Sequence, residues 1–318
     1  MILLDSFGRH IYYLRISVTD RCNLRCIYCM PPEGVPHIPH YEVLSYEEIS
    51  TIVEIAAELG FTKIRLTGGE PLVRKGLPRL IGMLSQIKGI DEISLTTNGT
   101  LLKKHAFELK EAGLERVNIS LDTLKAEKYR YITRLGNLED ALDGIEAARD
   151  AGLFPKINAV VMRGINDDEV LDFARLTYQG WNVRFIELMP FTRTAEFVPA
   201  EELRQHIELL GSLESYSSTG NGPAEYHRLP GAQGTIGFIT PVSKPVCSYC
   251  NRMRLTSDGQ FRSCLLSDEG IDLKNPLRNH VSRQELKQLM LKGVSSKPEK
   301  HHLLDGVYPG RKMSQIGG

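Results

Sequence analysis

The chain has 318 residues, 39 basic and 39 acidic side chains, 42% hydrophobic residues and a single tryptophan. This is the balance of an ordinary globular protein, long enough for one large domain or one large and one small. Zero formal charge argues against a general polyanion binder but allows a local basic pocket, no apolar run approaches the roughly 18 residues of a membrane span, and the opening residues meet Asp5 too soon for a signal-peptide core.

Six short strands are predicted, at residues 14–19, 63–67, 93–97, 117–121, 157–161 and 183–188. Their Ile and Val content suits strands buried on both faces. Between the first two, Ser45-Tyr46-Glu47-Glu48 is a capping box, followed by Ile49, Ile52, Val53, Ala56 and Leu59 at helical spacing. Gly60 is a natural stop, and Ala112-Gly113-Leu114 and Ala151-Gly152-Leu153 repeat the punctuation. Helix, glycine, apolar residue, strand is a βα repeat, which implies parallel strands with right-handed crossovers. A partial barrel and an open doubly wound sheet both satisfy that pattern. Beyond Pro190 a helix is predicted near 200–210, then a Gly/Ser/Pro-rich stretch at 211–234, a helical piece at 284–292 and a polar, basic tail.

The six cysteines form two triplets more than 200 residues apart: Cys22, Cys26, Cys29 and Cys247, Cys250, Cys264. Three is awkward for disulfides, and for structural zinc, which usually takes four protein ligands. Metal-ligating cysteines in a reducing cytosol fit better. The first triplet, C-x-x-x-C-x-x-C, directly follows the first predicted strand, where active-site loops of parallel α/β folds sit. Three thiolates on one short loop can hold three corners of an iron–sulfur cube and leave the fourth iron open. A zinc site with a remote fourth ligand is the alternative. The second triplet, C-x-x-C-x13-C, is compatible with zinc, with His227 or His280 as conceivable fourth ligands, or with a second cluster whose open iron faces a substrate. Arg252 and Arg254 interrupt it, and cations beside a metal site suit an anionic ligand.

With Tyr28 before its last cysteine, the first triplet resembles that of the radical S-adenosylmethionine (SAM) enzymes. Gly68-Gly69-Glu70-Pro71, after the second predicted strand, resembles their second signature. Asp20-Arg21-Cys22-Asn23, Thr96-Thr97-Asn98-Gly99, Asn118-Ile119-Ser120-Leu121-Asp122, Cys250-Asn251-Arg252-Met253-Arg254-Leu255-Thr256 and the final Ile316-Gly317-Gly318 extend the likeness. Together they resemble the GTP 3′,8-cyclase family of molybdenum cofactor biosynthesis, over about residues 5–318. Val246 stands where that family usually has Phe, and His227 where it often has Tyr.

The resemblance implies an α/β fold, a partial (βα)6 TIM-type barrel at residues 4–225, with a C-terminal iron–sulfur domain at 226–318. It implies a lyase that uses a 5′-deoxyadenosyl radical to take the 3′ hydrogen of GTP, closing C3′ onto C8 to give (8S)-3′,8-cyclo-7,8-dihydro-GTP. Cys22, Cys26 and Cys29 would hold one [4Fe–4S] cluster, and Cys247, Cys250 and Cys264 a second that meets the guanine. Tyr28, Gly69, Ser120 and Met189 match SAM-contacting positions. Arg15, Arg65, Thr96, Lys156, Arg252, Met253 and Arg254 match GTP-contacting ones, with Lys63 and Arg184 as additions to the triphosphate pocket. Arg252, Arg254, Gly317 and Gly318 match catalytic positions, the tail entering the active site. The expected setting is cytoplasmic, without nucleic acid or membrane, as a homodimer served by an electron donor and passing its product to cyclic pyranopterin monophosphate synthase. The residues 211–230 and the His301-His302 pair receive no role. The rival readings are a radical SAM peptide-modifying enzyme with an auxiliary cluster and a zinc-binding regulatory or nucleic-acid module.

Overall fold

In the first strand, β1 (Tyr13–Ser17), Leu14 and Ile16 enter the hydrophobic core while Tyr13 and Arg15 line an interior cavity. The same two-residue period runs through β2 (Lys63–Thr67), β3 (Glu92–Thr97), β4 (Arg116–Ser120), β5 (Lys156–Val161) and β6 (Asn182–Glu187). Ile64, Leu66, Ile93, Leu95, Val117, Ile119, Ile157, Ala159, Val183 and Phe185 belong to the core. Lys63, Arg65, Glu92, Thr96, Arg116, Asn118, Ser120, Lys156, Asn158 and Arg184 line the cavity. The expectation of strands apolar on both faces therefore fails on the inner face. A barrel that surrounds a ligand can carry polar side chains inward, as long as alternate positions still bury apolar ones outward.

The structure, a computed structural model, describes residues 2–189, 196–217, 222–301, 310–311 and 313–317. Gly318 and His302 lie outside the described residues. Strands β1 to β6 pair in parallel and in chain order. A doubly wound sheet would reverse its order beside the first strand, so this arrangement is of the partial-barrel kind. The crossovers carry α1 (Tyr46–Leu59), α2 (Leu77–Ser85), α3 (Ala106–Glu111), α4 (Ala126–Thr133), α5 (Leu138–Asp150) and α6 (Val170–Arg175). Helix α1 starts as expected: Ser45 Oγ accepts from the Glu48 N–H at 3.0 Å, and Glu48 Oε2 accepts from the Ser45 N–H at 2.7 Å. It stops at Gly60, whose φ is 107°.

The C-terminal part builds onto both edges of the same sheet. It supplies α7 (Ala200–Ile207), β7 (Glu214–Ser215), β8 (Glu225–Arg228), β9 (Ile236–Ile239), β10 (Arg252–Leu255), β11 (Gln260–Arg262), β12 (Ile271–Asp272), α8 (Lys274–Arg278), α9 (Arg283–Ser295) and α10 (Met313–Ile316). Strand β9 pairs in parallel with β6, and β10 in parallel with β1. Among the described residues the order is β12-β11-β10-β1-β2-β3-β4-β5-β6-β9-β8-β7. The strand that follows the second C-x-x-C thus lies directly against the strand that precedes the first cysteine triplet. No helix among the described residues is long and apolar enough to cross a membrane.

Candidate active site

The loop after β1 has no regular structure around its cysteines, so other segments hold it. The Arg134 guanidinium donates to the carbonyls of Arg25 (2.7 Å) and Met30 (2.9 Å). Asn98 Nδ2 donates to Asn23 Oδ1 at 2.9 Å. The turn after β2 donates its Gly69 and Glu70 N–H groups to the carbonyls of Thr19 and Arg21, both at 2.8 Å. A Cβ on Gly69 would lie 2.3 Å from the Arg21 carbonyl oxygen. Glycine is required here by the approach of the chain's own cysteine loop. Glu70, 1% exposed, accepts from Thr97 Oγ1 and from the N–H groups of Leu72 and Asn98. Burial pushes its carboxyl up to about 7 against those three donors. The effect is a staple between the cysteine loop, the glycine turn and the Thr97–Asn98 turn.

The cavity inside the barrel has a volume of about 330 Å³. Strand register sets its charge. Arg15 lies opposite Arg254 on one side and Arg65 on the other, three arginines on neighbouring strands and on one face. Lys63, Arg116, Lys156, Arg184 and Arg252 add to the lining, against the carboxylates of Glu92, Asp122 and Glu187. Glu92 lies 3.2 Å from Lys63 and 3.6 Å from Arg116, so those two cations are already paired. Within the arginine row, Arg254 donates to a backbone carbonyl of the tail and Arg65 lies over the Tyr13 ring. Burial, and then the charges of Arg254 and Arg65, hold the Arg15 guanidinium well below its ordinary pKa. Burial and the Arg252 charge lower Arg254 to about 10. Arg65 Nε, Thr96 Oγ1, Asn158 Oδ1 and Arg184 Nε are buried without hydrogen-bond partners among the described residues. Buried polar atoms are ordinarily satisfied, and this set fits an anionic, hydrogen-bonding guest.

The second triplet sits at the same cavity. Cys247, Cys250 and Cys264 line it together with Arg252 and Arg254. Burial opposes a thiolate at Cys250, but the charges of Arg252 and Lys297 outweigh it and bring the thiol down to about 6. In the first triplet burial dominates: it raises Cys22 to about 11, Cys29 to about 12 and Cys26 well above the usual thiol value. Such thiols ionise when they bind a cationic metal centre. Among the described residues no three His, Cys, Asp or Glu side chains gather as tightly as one metal ion requires, whereas a cubane spreads its cysteines around a larger body. Described residues of the tail reach the site. The Arg254 guanidinium donates to the Gly317 carbonyl at 2.8 Å, and the Ser314 N–H points at Cys29.

Residues 16–177 match the Radical SAM superfamily, and residues 181–303 match Molybdenum Cofactor Synthesis C. A GTP 3′,8-cyclase of Moorella thermoacetica is 54% identical over 99% of this chain and 99% of its own. Another, from Heliobacterium modesticaldum, is 50% identical over 99% of this chain and 100% of its own. This chain belongs to the GTP 3′,8-cyclase family, within the radical SAM superfamily. Among solved structures, anSMEcpe with bound AdoMet superposes with a TM-score of 0.60 at 15% identity, over 96% of this chain and 88% of its own. Streptococcus suis SuiB bound to its precursor peptide gives 0.61 at 16% identity, over 92% of this chain and 67% of its own. At that identity the likeness is one of fold.

Of the positions matched to this family, Arg15, Arg65, Thr96, Lys156, Arg252, Arg254, Lys63 and Arg184 all line the one cavity, as do Tyr28, Ser120 and Met189. Gly69 does not line it; it sits on the turn beneath the first cysteine loop. Met253 is fully buried in the hydrophobic core, because strand alternation turns it away from the arginines on either side. His227 pairs with Arg204 at 2.6 Å and His280 is exposed; neither joins the second triplet at the cavity. His301, to which no role was given, does line the cavity.

The structure adds wall residues to which the family match gave no role: Tyr13, Arg116, Asn118, Asn158 and Tyr226. The first four lie at the inward parity of their strands, a signal present in the two-residue period. Tyr226 comes from the stretch given no role. Its hydroxyl accepts from Lys156 Nζ at 3.4 Å. Burial raises this phenol's pKa, but the charges of Arg184 and Lys156 outweigh burial and lower it. Tyr226→Phe is expected to raise the KM for nucleotide roughly fivefold with little change in kcat, the size of one ordinary hydrogen bond of about 1 kcal/mol; steady-state kinetics checks it.

Proposed function

We propose that the barrel cavity is the site at which this protein cyclises GTP to (8S)-3′,8-cyclo-7,8-dihydro-GTP. The observation that carries the reading is the row Arg254–Arg15–Arg65 in direct register beside three cysteines on the same cavity wall. A triphosphate brings about four negative charges, and arginine forks meet phosphate oxygens in pairs. Like charges fixed side by side in a buried site are favourable only when an anion sits among them.

In this reading Cys22, Cys26 and Cys29 hold a [4Fe–4S] cluster that binds SAM, and Cys247, Cys250 and Cys264 hold a second. When bound, these groups supply hydrogen-atom abstraction on one side and an open iron on the other. Tyr28, Ser120 and Met189 form the SAM wall, with Gly69 on the adjoining turn. Arg15, Arg65, Lys156 and Arg252, with Thr96, orient the triphosphate and ribose, and Lys63 and Arg184 add charge. Met253 contributes the backbone between Arg252 and Arg254. Arg254 and Gly317 close the reaction space from the tail side, excluding water from a reactive nucleotide, and Arg252 and Gly318 are read as sharing in the catalytic role. Residues 4–225 form the core in this division, and residues 226–318 carry the second cluster. The protein is read as a cytoplasmic homodimer that needs an external electron donor and hands its product to cyclic pyranopterin monophosphate synthase.

The test is anaerobic incubation with SAM, reductant and GTP. The expected result is 5′-deoxyadenosine and the cyclised nucleotide together. SAM cleavage with no cyclised nucleotide would overturn the reading, as would cleavage that responds to a peptide and not to GTP.

A further inference from the structure

Two buried cations that play no part in holding GTP grip the second cysteine triplet from outside the cavity. Lys297 follows α9 and is 4% exposed. Its ammonium donates to the Arg252 carbonyl at 2.8 Å and to the Ser263 carbonyl. Arg252 lies two residues beyond Cys250, and Ser263 immediately precedes Cys264. Arg9 is 7% exposed and is held by Asp5 at 2.6 Å, inside the N-terminal turn closed by the Leu4–His10 bridge. Arg9 Nη1 donates to the Cys247 carbonyl at 2.8 Å. The same guanidinium donates to the carbonyls of Pro298 and Glu299, at 2.8 and 2.9 Å. The backbone within two residues of each of the three cysteines is therefore tied to a buried cation. The two cations are tied to each other through residues 297–299.

Packing alone does not account for Lys297. Burying an ammonium carries a desolvation cost, and an apolar side chain of similar length would fill the space without it. Among the described residues no carboxylate is paired with Lys297, and the nearby groups able to carry a negative charge once they bind a metal centre are the sulfurs of Cys250 and Cys264. Groups behind first-sphere ligands orient them and tune the centre they hold. A cluster bound by three thiolates would supply the negative charge that this lysine otherwise lacks.

We propose that Arg9 and Lys297 are positioning residues for the second cluster, fixing the backbone at its three cysteines and placing positive charge beside its thiolates. The proposal rests on the reading of Cys247, Cys250 and Cys264 as cluster ligands. It links the N-terminal turn, which the catalytic reading leaves without a role, to the C-terminal metal site.

The test uses anaerobically purified holoprotein carrying Lys297→Gln or Lys297→Arg. Iron content, the midpoint potential of the second cluster by redox titration with EPR, and GTP-independent SAM cleavage are measured. The wild type is expected to hold about eight irons, at about four per cluster. Lys297→Gln should either fall towards half that iron or keep it with the second cluster at a lower potential, because a positive charge that favours the reduced state has gone. SAM cleavage at the first cluster should persist, and Lys297→Arg should restore iron and potential. Full iron with an unchanged potential in Lys297→Gln would overturn the proposal. If that variant does not fold, Arg9→Gln carries the same readouts with the same expected and overturning results. A wild type holding only about four irons would sink the ligand reading itself, a different failure from that of the clasp.

Discussion

Alanine in place of Gly317 is expected to lower cyclisation by about a hundredfold or more while both clusters still assemble. Two independent features of the tail lead there. Gly317 has a φ of 77°, a left-handed conformation that costs an L-residue about 1 kcal/mol. A Cβ at that position would also lie 2.9 Å from Ser17 Cβ and 2.9 Å from Thr67 Cγ2, closer than such atoms pack. Both neighbours sit at the ends of their strands, so the strain is relieved by moving the tail. That movement breaks the bond from Arg254 to the Gly317 carbonyl and shifts the arginine at the end of the charged row. A misplacement of about 1 Å at a reacting site can cost about a hundredfold. The buried anchors of α10, Ser314 and Ile316, remain, so iron content and GTP-independent SAM cleavage should stay near wild type. Product formation is the quantity that falls. An alanine variant with full cyclisation would mean that the tail has no precise seat.

How much of this was legible beforehand depends on the range of the interaction that decides each feature. The Ser45–Glu48 capping box, the Gly60 stop and the six parallel strands follow from local chemistry and lie at or near their expected positions. The cysteine triplets and the glycine turn were legible because their spacing is itself the signal. The pairing of β10 with β1 and of β9 with β6 was not: nothing local tells a short strand after a cysteine loop which edge it will extend. That pairing puts Arg254 beside Arg15, so the row could not be assembled from sequence. Met253 illustrates the limit in the other direction. It lies inside a motif whose arginines face the cavity, and the two-residue period sends its own side chain to the core. Tyr226 and Lys297 lie in or beside segments whose composition says little, and each acquires a partner only through the tertiary fold.

Arg15→Met should separate binding from stability in opposite directions. Arg15 is the centre of the row, opposite both Arg254 and Arg65. In the nucleotide-free protein its charge is opposed by burial and by those two neighbours, the causes that hold its pKa well below the ordinary arginine value. A group whose charged form is disfavoured by folding subtracts from stability whenever it is charged. Methionine has a similar length, carries no charge and buries readily. The melting temperature of the GTP-free variant should therefore equal or exceed that of the wild type. Affinity for GTP should fall by about a hundredfold, as expected when a charged hydrogen-bond donor worth roughly 1.5–3 kcal/mol is removed and the field of its neighbours weakens. Differential scanning calorimetry and nucleotide-binding titration on the same preparation check the two halves. A site built mainly for packing would show the reverse, with melting temperature falling and binding little changed. A wall whose central arginine is held below its ordinary pKa by burial and by its neighbours lowers the stability of the nucleotide-free protein, and an anionic substrate offsets that cost.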